Sequence, residues 1–74
     1  MVERTITIKE EFIRLDSLMK LADCVVTGGH AKIVIQNGEV KVNNQVCTMR
    51  GKKMREGDFF VFEDVKVTVK NADK

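Results

Sequence analysis

The spacing of the hydrophobic residues changes at Gly38, and this change limits the folds that the chain can adopt. Ahead of Gly38, hydrophobic residues recur every three or four positions within residues 15–22 and 31–35, which is the spacing of one face of an amphipathic helix. After Gly38, hydrophobic and polar residues alternate within residues 39–42 and 65–70, which is typical of half-buried strands. We therefore predict an α+β domain in which two short helices pack on one side of a small antiparallel sheet of four to five strands.

Residues with special backbone preferences mark the ends of these elements. Thr27 can cap a helix with its hydroxyl group, and the two glycines that follow it allow a tight turn, so we expect the second helix to span about residues 29–36. Gly38 then supplies the left-handed residue that commonly ends a helix. Asn43 and Asn44 both tolerate a positive φ and favour a tight hairpin turn between two strands.

The length of the chain, 74 residues, allows one small domain, because chains this short bury only roughly 60% of the surface that they expose when unfolded. We predict a single domain over residues 1–74, with a core from about 13 to 69, a strand near residues 5–9 and a frayed polar tail at residues 71–74. Hydrophobic residues make up 43% of the sequence, which excludes a disordered chain. No apolar run approaches the ~20 residues that cross a bilayer, and the first residues do not resemble a signal peptide.

The cysteine content predicts a reduced, cytoplasmic protein. Cys24 and Cys47 are isolated cysteines without CxxC spacing, so we expect free thiols that pack in apolar surroundings. The alternative is a single disulfide bond between them. Together with His30 they make three candidate metal ligands, whereas a closed zinc site needs about four. We therefore predict no metal and no cofactor.

The positive charge of the chain is concentrated in its middle part. The whole sequence has 13 Lys and Arg residues against 11 Asp and Glu residues, whereas residues 24–55 carry six basic residues and one acidic residue. Four of the six residues at 50–55 are cations. A concentrated positive patch on a nearly neutral protein is a footprint for a polyanion, most often a nucleic acid. The alternative is a solvated basic loop without a partner.

Several short motifs occur in a specific order between about residues 13 and 69. They are Ile13-Arg14-Leu15-Asp16, Thr27-Gly28-Gly29-His30-Ala31-Lys32, Ile35-Gln36-Asn37-Gly38-Glu39-Val40-Lys41-Val42-Asn43, Arg50-Gly51-Lys52-Lys53 and Gly57-Asp58. In this order they resemble the S4 RNA-binding domain, and in particular the small stand-alone bacterial proteins of that family. The resemblance implies the S4-like αL fold, in which the exposed face of a helix pair and the adjoining loop bind structured RNA such as ribosomal RNA or tRNA-like elements. It also implies that the domain has no catalytic role.

The expected RNA contacts follow from the basic patch and from the resemblance. They lie on the two helices and in the basic loop: Arg14, Lys20, Thr27, Gly28, Gly29, His30, Lys32, Arg50, Lys52, Lys53 and Arg55. The cations would neutralise phosphates. The N–H groups of residues 27–29 would either face a phosphate or be satisfied by an ordinary helix cap. Arg14 either extends the patch or pairs with Glu10 or Glu11.

Two classes of function remain open. The first is a non-catalytic, monomeric protein that binds structured RNA, with the ribosome or a ribosomal subunit as a candidate partner. The second is a protein-interaction module that docks an acidic partner or forms a homodimer. No motif pairs an acid, a base or a nucleophile for catalysis. The sequence has no Trp or Tyr, and we expect its four Phe residues in the core, which argues against base stacking on an exposed sheet.

Overall fold

Two helices pack on one face of a five-stranded sheet, which confirms the predicted α+β class. The computed structural model describes residues 1–72. Its elements, in chain order, are β1 (Val2–Ile8), β2 (Ile13–Arg14), α1 (Leu15–Leu21), α2 (Gly28–Gln36), β3 (Val40–Val42), β4 (Gln45–Val46), β5 (Lys53–Met54), β6 (Phe59–Phe62) and β7 (Val65–Asn71). Helix α2 begins one residue before its predicted start and ends at the predicted Gln36, and α1 covers the helical spacing that begins at Leu15. Neither of them is long and apolar enough to cross a membrane.

The five-stranded sheet is mixed, and in this respect the prediction of a fully antiparallel sheet was wrong. Its strand order is β1-β7-β6-β3-β4. The pairs within β7-β6-β3-β4 are antiparallel, whereas β1 runs parallel to β7, from Val2 beside Val65 to Ile8 beside Asn71. Alternating hydrophobicity identifies a strand but carries no information about the direction of its neighbour. The helices and the intervening strands together form the long crossover that a parallel pair requires.

A second, two-stranded sheet lies outside the main one and changes the expected basic loop. Lys53–Met54 (β5) pairs antiparallel with Ile13–Arg14 (β2), so the segment at residues 50–55 ends in a strand. A strand of two residues is too short to produce a recognisable alternation in the sequence.

The core lies between the helices and the inner face of the main sheet. Its largest fully buried side chains include Leu15, Leu18 and Met19 of α1 together with Ile35 of α2 and Phe60 of β6. Apolar burial of this kind contributes about 25 cal/mol for each Å² removed from water.

The expectation that all four Phe residues belong to the core was wrong for two of them. Phe60 and Phe62 are buried, whereas Phe12 and Phe59 are only half-buried. Phe59 occupies the outer face of β6 because successive side chains of a strand point to opposite faces. Phe12 precedes β2 and is described with the candidate site.

The prediction of a frayed tail at residues 71–74 was wrong for Asn71 and Ala72. Asn71 is the last residue of β7 and is only 7% exposed, and its side-chain Nδ2 donates a hydrogen bond to the Glu10 carbonyl at 2.8 Å. The Ala72 N–H donates to the Ile8 carbonyl at 2.8 Å and continues the ladder. Residues 73–74 of the predicted tail lie outside the described residues.

The turns use left-handed residues where the sequence predicted them. Asn43 and Asn44 have φ values of 50° and 71°, as the tight hairpin between β3 and β4 requires. Gly38 has a φ of 76° and follows α2, where its N–H and that of Glu39 donate to the carbonyls of Ile35 and Val34. This pair of hydrogen bonds is the Schellman motif, so the prediction for Gly38 is confirmed.

Helix α1 ends in the same motif with Asp23 in the glycine position. The N–H groups of Asp23 and Cys24 donate to the carbonyls of Lys20 and Met19 at 3.1 and 2.9 Å, and Asp23 has a φ of 60°. A left-handed conformation costs a residue with a Cβ about 1–2 kcal/mol. The Asp23 carboxylate also lies at the helix end where the macrodipole disfavours an acid.

We therefore expect Asp23→Gly to raise the free energy of unfolding by about 0.5 to 1 kcal/mol, after the entropy that glycine gains in the unfolded chain is subtracted. Gly38→Ala is the opposite control, because alanine would have to adopt the positive φ of Gly38. Its Cβ would also lie 3.5 Å from Cγ1 of Val46. It should lower the free energy of unfolding by about 1 kcal/mol or more. Urea denaturation of both variants checks the signs, and a destabilised Asp23→Gly would contradict the assignment.

Candidate nucleic-acid interface

The two-stranded sheet of β2 and β5 presents basic side chains on one face. Ile13 lies opposite Met54, which is fully buried, and Ile13 packs against the core. Because neighbouring side chains of a strand alternate between faces, the residues on either side of this pair point outward. Those residues are Phe12, Arg14, Lys53 and Arg55. We call this outward face, with its three cations and one aromatic ring, the basic ribbon.

Backbone hydrogen bonds hold the basic segment against the start of α1. The Leu15 N–H donates to the Lys52 carbonyl at 2.9 Å, and the Asp16 N–H donates to the Arg50 carbonyl at 3.1 Å. These N–H groups belong to the first turn of α1, which has no side-chain cap at Arg14. The basic segment therefore satisfies donors that a helix leaves free at its N-terminus, and its own position is fixed relative to the helix.

Arg14 pairs with an acid other than the two that the sequence suggested. Its Nη2 lies 3.2 Å from Oδ2 of Asp16, within the first turn of α1, and neither Glu10 nor Glu11 takes part. The Arg14 side chain is 53% exposed. An exposed ion pair of this kind is worth about 0–1 kcal/mol, so the guanidinium group can exchange this partner for another anion.

Phe12 is the residue of this surface that the sequence interpretation missed. Lys53 Nζ lies 5.0 Å and Arg55 Cζ lies 5.9 Å from the centroid of its ring. Both distances fall within the range of cation–π attraction. No sequence signal identifies Phe12, because strands of two residues are too short to produce a recognisable alternation and the segments that pair here lie about forty residues apart.

The start of α2 forms a second group of predicted site residues. Thr27 is the N-cap residue, and its Oγ1 accepts a hydrogen bond from the His30 N–H at 3.1 Å. An ordinary helix cap therefore satisfies the N–H group of His30. Residues 27–30 and Lys32 are all exposed. A Cβ built on Gly28 would meet no atom within 4 Å, so the backbone there is open to a ligand.

The remaining predicted residues are not part of the outward face that forms the basic ribbon. Lys20 is exposed on α1 beside Ser17 and Leu21. Lys52 lines a shallow groove of about 330 Å³ between the β3–β4 hairpin and residues 47–49. Within residues 1–72, no hydrogen bond or ion pair joins the group on α2 to the basic ribbon. The structure thus brings Arg14, Lys53 and Arg55 together on one face, with residues 50–52 in the backbone segment beside Arg14. The predicted residues at the start of α2 form a second exposed group, and Lys20 is exposed on α1.

The described part of the chain contains neither a disulfide bond nor a metal-binding cluster. Cys24 and Cys47 are free and half-buried, and burial raises the pKa of the Cys24 thiol above its ordinary value, against a smaller opposing effect of Arg4. A raised pKa keeps the thiol protonated and unreactive at neutral pH. Residues 1–72 contain no cluster of three or more His, Cys, Asp or Glu side chains that could hold a metal ion.

Two comparisons with known proteins concern the family of this chain. The family model described as the S4 domain matches residues 6–70. The chain is also similar to the probable ribosome maturation protein RlbA of Bacillus subtilis, with 40% identity over 58 residues that cover 78% of this chain and 82% of the relative. The family match begins within β1, ends within β7 and includes both helices and the residues of the basic ribbon. The chain therefore belongs to the S4 domain family.

Proposed function

We propose that the protein is a non-catalytic RNA-binding protein that recognises structured RNA, either ribosomal or tRNA-like, and acts on the ribosome or one of its subunits. One observation carries the proposal: Arg14 on β2 lies directly opposite Lys53 on β5. Like charges at directly opposed positions of a strand pair destabilise the fold. A polyanion that binds across the basic ribbon turns this unfavourable pair into a favourable site.

The exposed residues fit recognition of phosphates and shape. Arg14 and Lys53 are held on a strand pair that is attached to α1, and Arg55 directly follows it, so the spacing of Arg14 and Lys53 is set before any RNA arrives. The exposed cap of α2 and Lys32 offer a second set of contacts on the helix that packs against α1. Contacts with phosphates fix position and orientation and carry little base information, which suits an RNA recognised by its folded shape.

The comparisons support the same class of function. Membership of the S4 domain family favours RNA as the ligand, and the name of the Bacillus subtilis relative favours a role in ribosome maturation. We infer that this chain acts on ribosomal RNA during assembly of a subunit, with the basic ribbon as its principal contact and Lys20, Arg50 and Lys52 as peripheral ones.

Salt-dependent binding tests the proposal. Fluorescence anisotropy would measure the dissociation constant of the protein for folded fragments that together cover the ribosomal RNAs of both subunits, with an unfolded RNA of equal length as the control. The three cations of the ribbon alone predict that the logarithm of the association constant falls with the logarithm of the salt concentration at a slope of about −2 to −3. The folded fragments should bind more tightly than the control.

Two results would count against the proposal. One is the absence of binding to any fragment at physiological salt, together with a protein that does not sediment with ribosomal subunits in a sucrose gradient. The other is equal affinity for folded and unfolded RNA, which would remove shape from the mechanism. A stable protein dimer in sedimentation, combined with no RNA binding, would favour the interaction module instead.

A further inference from the structure

The half-buried state of Phe12 is not explained by the hydrophobic core. Within residues 1–72, the partly buried hydrophobic residues that pack against the core are Ile6, Ile13, Cys24, Cys47 and Val65, and Phe12 is not one of them. Instead, the ammonium group of Lys53 and the guanidinium group of Arg55 lie over its ring. The ring is thus covered by the side chains of the basic ribbon.

The ring of Phe12 lies next to two cations of the basic ribbon that repel each other. Lys53 lies on β5 and Arg55 directly follows that strand. Both cations lie over the ring of Phe12 and therefore share one side of the segment, where their charges repel each other. The face of an aromatic ring carries negative potential and attracts a cation. A single ring within 5.0 Å of one cation and 5.9 Å of the other therefore draws both side chains to one place.

Long basic side chains lose rotamer freedom when they bind a phosphate, and this loss weakens binding. A ring that already restrains them removes part of the cost before RNA arrives. We propose that Phe12 is a positioning residue of the RNA site, which holds Lys53 and Arg55 side by side so that they contact phosphates of one RNA backbone segment. The inference rests on the proposed function.

Two substitutions of Phe12 separate the charge distribution of the ring from its bulk. Phe12→Leu keeps an apolar side chain and removes the aromatic face, whereas Phe12→Tyr keeps the face. Affinity would be measured with the ribosomal RNA fragment that the unmodified protein binds most tightly. We expect Phe12→Leu to weaken binding by about threefold to tenfold, and Phe12→Tyr to stay within about twofold of the unmodified protein.

Two further readouts distinguish positioning from a structural role. The salt slope should be unchanged in Phe12→Leu, because the same cations still reach the phosphates, and the thermal unfolding midpoints of the two variants should agree. NMR of the free protein should show ring-current shifts at the terminal methylenes of Lys53 and Arg55 that disappear in Phe12→Leu and persist in Phe12→Tyr.

The outcomes separate this inference from the proposed function. If RNA binding is normal in Phe12→Leu, or if Phe12→Tyr loses as much affinity as Phe12→Leu, Phe12 does not position the cations although the protein binds RNA. If no fragment binds the unmodified protein, the proposed function fails and the positioning role fails with it, even where the ring-current shifts are present.

Discussion

Replacement of both Lys53 and Arg55 by glutamate is expected to weaken binding to the tightest ribosomal RNA fragment by about 100-fold or more. Hydrogen bonds to charged groups contribute about 1.5–3 kcal/mol each, and each 1.4 kcal/mol is a factor of ten in affinity. The two new carboxylates would also repel the phosphates. The slope of affinity against salt should become shallower by about two, because two phosphate contacts are lost.

Lys41→Glu combined with Lys70→Glu provides the matched control. Both lysines are exposed strand residues, and the net charge changes by the same amount as in the ribbon variant. Lys41 lies opposite Val61 and Lys70 lies beside Thr7, on the outer face of the main sheet and away from the helices. The control should lose little affinity. Equal losses in the two double variants would mean that the total charge of the protein, and not the basic ribbon, determines binding.

Phe60→Ala is expected to lower the free energy of unfolding by about 3 to 5 kcal/mol, the loss typical of a buried phenylalanine. Phe60 is fully buried at the centre of the sheet, between Val42 of β3 and Val67 of β7. A small domain has a total stability near the lower end of about 5–15 kcal/mol. The variant should therefore unfold at a much lower urea concentration, or be partly unfolded without urea.

Phe59→Ala is the control for this prediction, because Phe59 is the adjacent residue of the same strand with its side chain on the outer face. The centroid of its ring lies 4.5 Å from Lys66 Nζ, and the residue is half-buried. The substitution should cost less than about 1.5 kcal/mol. Urea denaturation of both variants measures the difference, and similar losses would show that the outer face of the sheet contributes to stability as the core does.

The fold was largely predictable because strong local signals set its elements. The helical spacing of Leu15, Leu18 and Met19, and the left-handed positions at Gly38 and the Asn43–Asn44 turn, each depend on residues close together in the chain. The parallel pairing of β1 with β7 was not predictable in this way. It joins residues more than sixty positions apart, and nothing in either strand records the direction of its neighbour.

The sequence predicted the candidate site only as a concentration of positive charge. The cations at residues 50–55 were evident in the sequence, but their division between the basic ribbon and the groove depends on the pairing of Met54 with Ile13. That pairing also places Phe12 under Lys53 and Arg55 and frees Arg14 from Glu10 and Glu11. The division of the cations, the position of Phe12 and the partner of Arg14 all depend on strand pairing across about forty residues, which composition does not reveal.

The position of β7 also sets the order in which the domain can assemble during synthesis. β7 is the last strand of the described chain to leave the ribosome, yet it lies between β1 and β6 in the finished sheet. β1, the first strand of the described chain, has no other neighbour in that sheet and stays unpaired there until β7 is made. Contacts this distant in the chain slow folding. A nascent protein that stalls before residue 65 therefore exposes both edges that β7 would cover, and a domain lacking β7 is a target for aggregation and degradation.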